Sequence, residues 1–313
     1  MALVFTAIAD AVAAFLLLHR ATPVPWEQLP WILGISVGLY GFGMSLNDII
    51  DRRRDNTIAP HRPLPSARIG VTTAHLLCGG LFTLAIASAA MYASATGIWI
   101  SLGLAFFTAS LIYFYDVAGK YLVAFGLLSL GLIRFFHATI PSPQFPILWH
   151  PLFLLNHVAL LSAFCYQLEE KRPALTRAHW RTVLGGTLLV NIVVIGLIAY
   201  RRLDRFDGDW LAAMGITPWL ALPVAAAVVF VWLAMQVARR SPTPRAAGQA
   251  VMLYGLLWLI VYDGAFVIAY VGWVQGVAVL LLAPVAYFAV QLMRWWSAIV
   301  AVSQRPVYKR AEE

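Results

Sequence analysis

Asp48, Asp51 and Asp55 stand in the run Asn47-Asp48-Ile49-Ile50-Asp51-Arg52-Arg53-Arg54-Asp55, where a long apolar segment ends. Spaced three and then four residues apart, they project from one face of a helix. Like charges at that spacing repel, and the edge of an apolar segment is an unfavourable place to gather them. A positive partner must compensate. Carboxylate clusters suit hard divalent cations, and Mg²⁺ typically takes one or two carboxylates together with the phosphates of a substrate. The competing reading is a solvated acidic patch neutralised by Arg52, Arg53 and Arg54.

Other charged residues stand where charge is costly. Glu169 and Glu170 open a second polar connection, Glu169-Glu170-Lys171-Arg172-Pro173, after another apolar segment. Lys120 is isolated between two apolar segments, close to Tyr115. Asp10, Arg134 and Asp263 lie inside such segments, where they either pair with one another or line an internal cavity. His137 and His157 have no partner at metal-ligand spacing and read as core histidines. Cys78 and Cys165 sit in apolar segments and read as small core residues, not a disulfide.

The elements that must position these groups are apolar and long. Of 313 residues, 61% are hydrophobic and 12% charged, and the mean hydropathy is +0.79. Soluble domains carry about twice that share of charge. Ten apolar segments can be drawn, at 2–18, 30–49, 72–93, 97–115, 121–140, 150–167, 182–200, 217–237, 249–270 and 274–293. Each approaches the roughly 17–25 residues that cross a bilayer as a helix. No alternating pattern of barrel type is present, so the expectation is an all-α polytopic membrane protein. It would be a bundle of nine or ten transmembrane helices, forming a single domain over 1–313.

The net charge of +8 is distributed as a membrane protein's would be. With ten spans and a cytoplasmic N-terminus, the inward-facing connections and the tail hold seventeen Lys or Arg residues. The outward-facing connections hold four: Arg20, Arg201, Arg202 and Arg205. The positive-inside rule then places both termini in the cytoplasm. No basic and aromatic patch outside the spans suggests nucleic-acid binding. The first segment lacks a basic n-region and contains Asp10, so it reads as a retained helix and not a signal peptide. The Arg201–Trp210 connection reads as an ordinary solvated loop.

Asn47-Asp48-x-x-Asp51-x-x-x-Asp55, followed by Arg62-Pro63-Leu64-Pro65-Ser66, resembles the first signature of the UbiA family of membrane prenyltransferases. Tyr115-Asp116-x-x-x-Lys120 is similar to that family's short Tyr…Lys segment, and Gly131-Leu132-Ile133-Arg134 to its G-x-x-R element. The resemblance runs over roughly residues 3–200. It implies a UbiA-like helical bundle that uses Mg²⁺ to transfer a polyprenyl group from its diphosphate to a lipophilic, aromatic acceptor. On that reading Asn47, Asp48, Asp51 and Asp55 hold metal, and Glu169 and Glu170 supply the second metal-binding element. Asp48, Asp51 and Lys120 are catalytic, while Asn47, Arg62, Lys120, Arg134, Lys171 and Arg172 bind substrate. Tyr40, Phe42, Tyr113 and Tyr166 stand near the motifs and are candidates to shield a carbocation.

The second element departs from the family pattern. Where that pattern has D-x-x-x-D, this chain reads Cys165-Tyr166-Gln167-Leu168-Glu169-Glu170-Lys171-Arg172. Two rivals therefore accompany the transferase reading: an enzyme that cyclises or hydrolyses a prenyl diphosphate without an acceptor, and a non-catalytic protein that binds isoprenoid lipid. A transporter would show paired broken helices, and no matched pair is evident.

Overall fold

The computed structural model describes residues 3–60 and 62–303, with the backbone alone for residue 297 and residues 300–303. Of the basic residues assigned to the tail, Arg305, Lys309 and Arg310 lie outside the described residues. The described chain is helical, with no strand. In order the helices are α1 (Val4–Leu18), α2 (Leu29–Ile58), α3 (Val71–Thr96), α4 (Ile100–Val117), α5 (Val123–Thr139) and α6 (Trp149–Leu168). After them come α7 (Arg177–Arg202), the short α8 (Trp210–Ala213), α9 (Ala221–Arg240), α10 (Pro244–Tyr270), α11 (Trp273–Leu280) and α12 (Leu282–Ser303). Each of the ten apolar segments forms a helix, the last broken at Leu281 into α11 and α12.

Eight of these helical stretches are long and apolar enough to cross a membrane. The exceptions are α1 and α5, with 15 and 17 residues. Their shortness has a packing reason. Ten residues of each are buried, so these helices face protein and need not match the bilayer core over their own length. The chain is an integral, multi-pass membrane protein. Exposed apolar side chains such as Leu188, Val228 and Leu292 give α7, α9 and α12 a surface suited to lipid.

α1 joins two packed clusters. Its Ala11 and Phe15 pack among Ile35 and Leu39 of α2, Ala89 of α3 and Ala105 of α4. Its Ala9, Ala13 and Leu16 pack among Ile260 and Phe266 of α10, Val279 of α11 and Ala286 of α12. The alanine-rich sequence of α1 lets neighbours approach on both sides. Small residues serve the same purpose elsewhere: a Cβ at Gly38 of α2 would lie 2.6 Å from the backbone nitrogen of Ala85 in α3. Where loops meet helices, local signals are clear. Thr176 and His179 form a reciprocal capping box at the start of α7, and Thr243 caps α10 ahead of Pro244.

Candidate active site

α2 has 30 residues and continues past its apolar portion, carrying the carboxylate run within unbroken helix. Asp51 and Asp55 are buried, Asp48 is about half exposed, and Arg52 and Arg53 point to solvent. A solvated acidic patch neutralised by three arginines is therefore not what forms. Arg54 alone of the three pairs with the stripe, its Nη2 3.1 Å from Asp51 Oδ2.

The turn between α4 and α5 delivers Lys120. Residues Gly119–Tyr121 form one 3₁₀ turn folded back on α5, and a Cβ at Gly126 would collide with the Gly119 carbonyl oxygen. Lys120 Nζ donates to Asp51 Oδ1 at 2.8 Å and to Asn47 Oδ1 at 3.2 Å, and lies 3.7 Å from Asp116 Oδ1. Only 12% of the lysine side chain is exposed, which makes its charge strongly felt by these oxygens. Arg62, from the connection after α2, donates from Nη1 to Asp55 Oδ2 at 2.6 Å and lies 4.0 Å from Asp48. Asn47, Asp48, Asp51, Asp55, Arg62 and Lys120 thus meet at one helix end. Asp116 joins them, a residue within the Tyr115–Lys120 segment to which no role was given. Its position four residues before Lys120 was the available signal.

Below this cluster lies a cavity of about 300 Å³. Asn47, Tyr115 and Asp116 line its mouth, while Arg134 and His137 line it deeper in the bundle. Of the four aromatic candidates, Tyr40 alone lines this cavity. Phe42 packs against Phe82, Tyr113 is exposed, and Tyr166 borders a different cavity.

Arg134 does not project freely into the space. Its Nη1 donates to Asp10 Oδ2 at 2.6 Å and its Nη2 to Thr6 Oγ1 at 2.7 Å. His137 Nε2 is 3.2 Å from Ser36 Oγ, and its Nδ1 is 3.9 Å from Asp10 Oδ2 without a hydrogen bond. On α10, Asp263 Oδ1 lies 2.7 Å from His150 Nε2. The intramembrane charges are therefore paired. His157 is a satisfied core histidine, held between the Gly255 carbonyl and the Tyr262 hydroxyl.

Glu169, Glu170, Lys171 and Arg172 lie at the end of α6. Glu169 pairs with Lys171 at 3.1 Å, and its stem packs against Gly248 of α10. The Lys171 ammonium stands 5.9 Å from the centre of the Tyr166 ring. Glu170, Lys171 and Arg172 border a second cavity that shares no lining residue with the first. Among the described residues, no hydrogen bond or ion pair links this group to the Asn47–Asp55 stripe.

Among the described residues, no three His, Cys, Asp or Glu side chains converge as a ready-made metal cage. Mg²⁺ does not require one, because substrate phosphates and water complete its shell. The donor set does suit a hard cation. Asn47, Asp48, Asp51 and Asp55 offer only oxygen, and Asp55 Oδ1 is buried with no hydrogen-bond partner.

Residues 4–142 match the model of the UbiA prenyltransferase family. The match spans α1 to α5 and ends before α6, the helix leading to Glu169 and Glu170. A solved structure described as digeranylgeranylglyceryl phosphate synthase in membranes matches with a TM-score of 0.59 and 15% identity. The alignment covers 85% of this chain and 94% of that one, and at such identity the likeness is one of fold. No curated protein matches the chain. The carboxylate stripe, Lys120 and Arg134 all lie inside the matched residues, so α1 to α5 are similar to the UbiA prenyltransferase family, and the helices as a whole form a UbiA-like fold.

Proposed function

We propose that this protein transfers a polyprenyl group from its diphosphate to a lipophilic aromatic acceptor, in a reaction that requires Mg²⁺. The observation that carries this reading is the cluster of carboxylates with Lys120 and Arg62, which adjoins a cavity within the bundle through Asn47 and Asp116. Mg²⁺ bound to Asn47, Asp48, Asp51 or Asp55 would supply charge stabilisation to the departing diphosphate. Arg62 and Lys120 exchange carboxylate oxygens for phosphate oxygens when substrate enters, Arg62 as a planar fork and Lys120 as a point charge. Lys120 holds the leaving group on the cavity side, where Tyr40 and Tyr115 border the path of the allylic carbon. The prenyl chain enters laterally from the bilayer, and the acceptor occupies the deeper space near Arg134 and His137. The whole chain serves as one transmembrane unit, with both termini and the carboxylate mouth at the cytoplasmic face.

A second reading has a specific observation behind it. Glu169 is paired with Lys171, apart from the first stripe, which suits a protein that binds isoprenoid lipid without turning it over. Incubating purified protein and Mg²⁺ with labelled prenyl diphosphates of several lengths separates the two. Diphosphate release that depends on an aromatic acceptor supports the transferase, release without acceptor supports cyclisation or hydrolysis, and binding without release supports the lipid binder.

A further inference from the structure

Only four basic residues belong to the connections at the end of the bundle opposite the carboxylate stripe, and three of them meet. Arg20 follows α1, while Arg202 and Arg205 stand at the end of α7 and in the turn after it. Although about 180 residues separate Arg20 from the other two, all three line one cavity of about 560 Å³. Arg202 is close enough to Arg20 and Arg205 to be repelled by both. Like charges converging where basic residues are otherwise scarce call for an anion.

The acids of the same connection do not supply it. Asp209 caps α8 through the backbone nitrogens of Leu211 and Ala212. Among the described residues, neither Asp204 nor Asp207 forms an ion pair with the arginines, and neither lines the cavity. Arg202 is held in place by the Phe145 carbonyl oxygen, which accepts a hydrogen bond from its Nη2. That bond uses one of the five N–H donors of the guanidinium. The rest of the wall is apolar and aromatic, including Trp149, Phe206, Ile216 and Tyr270. Trp149 is fixed by a bond from its Nε1 to the Met214 carbonyl, and Tyr270 by contact with the Thr217 hydroxyl.

We propose that Arg20, Arg202 and Arg205 form a phosphate-binding pocket, at the face opposite the candidate active site, for the headgroup of an anionic lipid. Guanidinium forks match phosphate oxygens, and the aromatic wall takes the adjoining apolar stem. The same chemistry would accept a free phosphate, so the test has an arm for each source.

Native mass spectrometry of detergent-purified protein would measure retention of phosphatidylglycerol against phosphatidylcholine. The parent should retain the anionic lipid preferentially. The variant Arg20→Gln/Arg202→Gln/Arg205→Gln should bind it about tenfold more weakly or worse, since even one lost charge-assisted contact is of that order. Arg201→Gln, which changes an exposed arginine outside the cavity, should leave retention unchanged. Should the triple variant fail to fold, Arg20→Gln/Arg205→Gln leaves the Arg202–Phe145 bond intact and should show a partial loss. Thermal stabilisation by inorganic phosphate, lost in the triple variant, would assign a free anion. Lipid preference without such stabilisation would assign the headgroup. Equal retention of both lipids with no phosphate effect would overturn the pocket. So would an Arg201→Gln loss equal to that of the triple variant, which would mean general surface charge.

Discussion

Arg134→Met is the perturbation whose consequence is best worked from the structure. Asp10 is fully buried in α1, and its Oδ2 accepts the 2.6 Å bond from Arg134 Nη1. Removing the guanidinium strands that carboxylate inside the bundle, with His137 3.9 Å away and, among the described residues, no other cationic side chain bonded to it. Breaking a buried pair in this way costs about 3–5 kcal/mol, much more than the net worth of the pair. Thr6 loses less, because its hydroxyl still donates to the Leu3 carbonyl. Adding Asp10→Asn removes the stranded charge, so the double variant should regain about 2 kcal/mol over Arg134→Met alone. Reversible unfolding of detergent-solubilised protein, measured for the parent, both single variants and the double, gives the coupling energy. A single-variant effect within about 0.5 kcal/mol, as at an ordinary surface site, would refute the buried pair. So would a double variant less stable than Arg134→Met. Turnover then separates two roles for Arg134. If it only positions α1 against α5, restored stability restores activity. If it contacts the acceptor, KM for the acceptor stays high in the double variant.

Asp48→Ala and Asp51→Ala should each abolish Mg²⁺-dependent release of diphosphate while the protein stays monodisperse in detergent; unchanged turnover in both would end the metal role of the stripe. Gly126→Ala should cost about 1–3 kcal/mol by overpacking against the Gly119 carbonyl and should weaken prenyl diphosphate binding as Lys120 shifts; melting curves and equilibrium binding test the two together. The double change Glu169→Gln/Glu170→Gln should weaken Mg²⁺-dependent prenyl diphosphate binding if the second element takes part, and parent-like binding would remove it from the site. Single cysteines at Ser66 and Ser241 should resist an impermeant thiol reagent in intact cells while one at Asp204 reacts, and labelling of Ser66 would reverse the orientation.

The helices themselves were legible from hydropathy, because a backbone in a bilayer must satisfy its hydrogen bonds within each span. All ten apolar segments formed helices, and the stripe of Asp48, Asp51 and Asp55 followed from helical spacing alone. These are local properties, set by residues within two turns of one another. What surrounds each charge was decided by helix packing. Lys120 reaches Asp51 only because Gly126 lets its turn fold against α5, and Arg134 meets Asp10 across 124 residues of sequence. The sequence offered Arg134 as either a structural partner or a cavity group, and packing made it both. Glu169 and Glu170 read as a second metal element by their place at a helix end, and packing then sets Glu169 against Gly248 of α10 and Glu170 on the border of a cavity with Lys171 and Arg172. The Arg201–Trp210 connection read as a solvated loop, because nothing local ties Arg202 and Arg205 to Arg20. Spacing along one helix shows which face a side chain takes, but only the rotation and depth of neighbouring helices determine what that face meets.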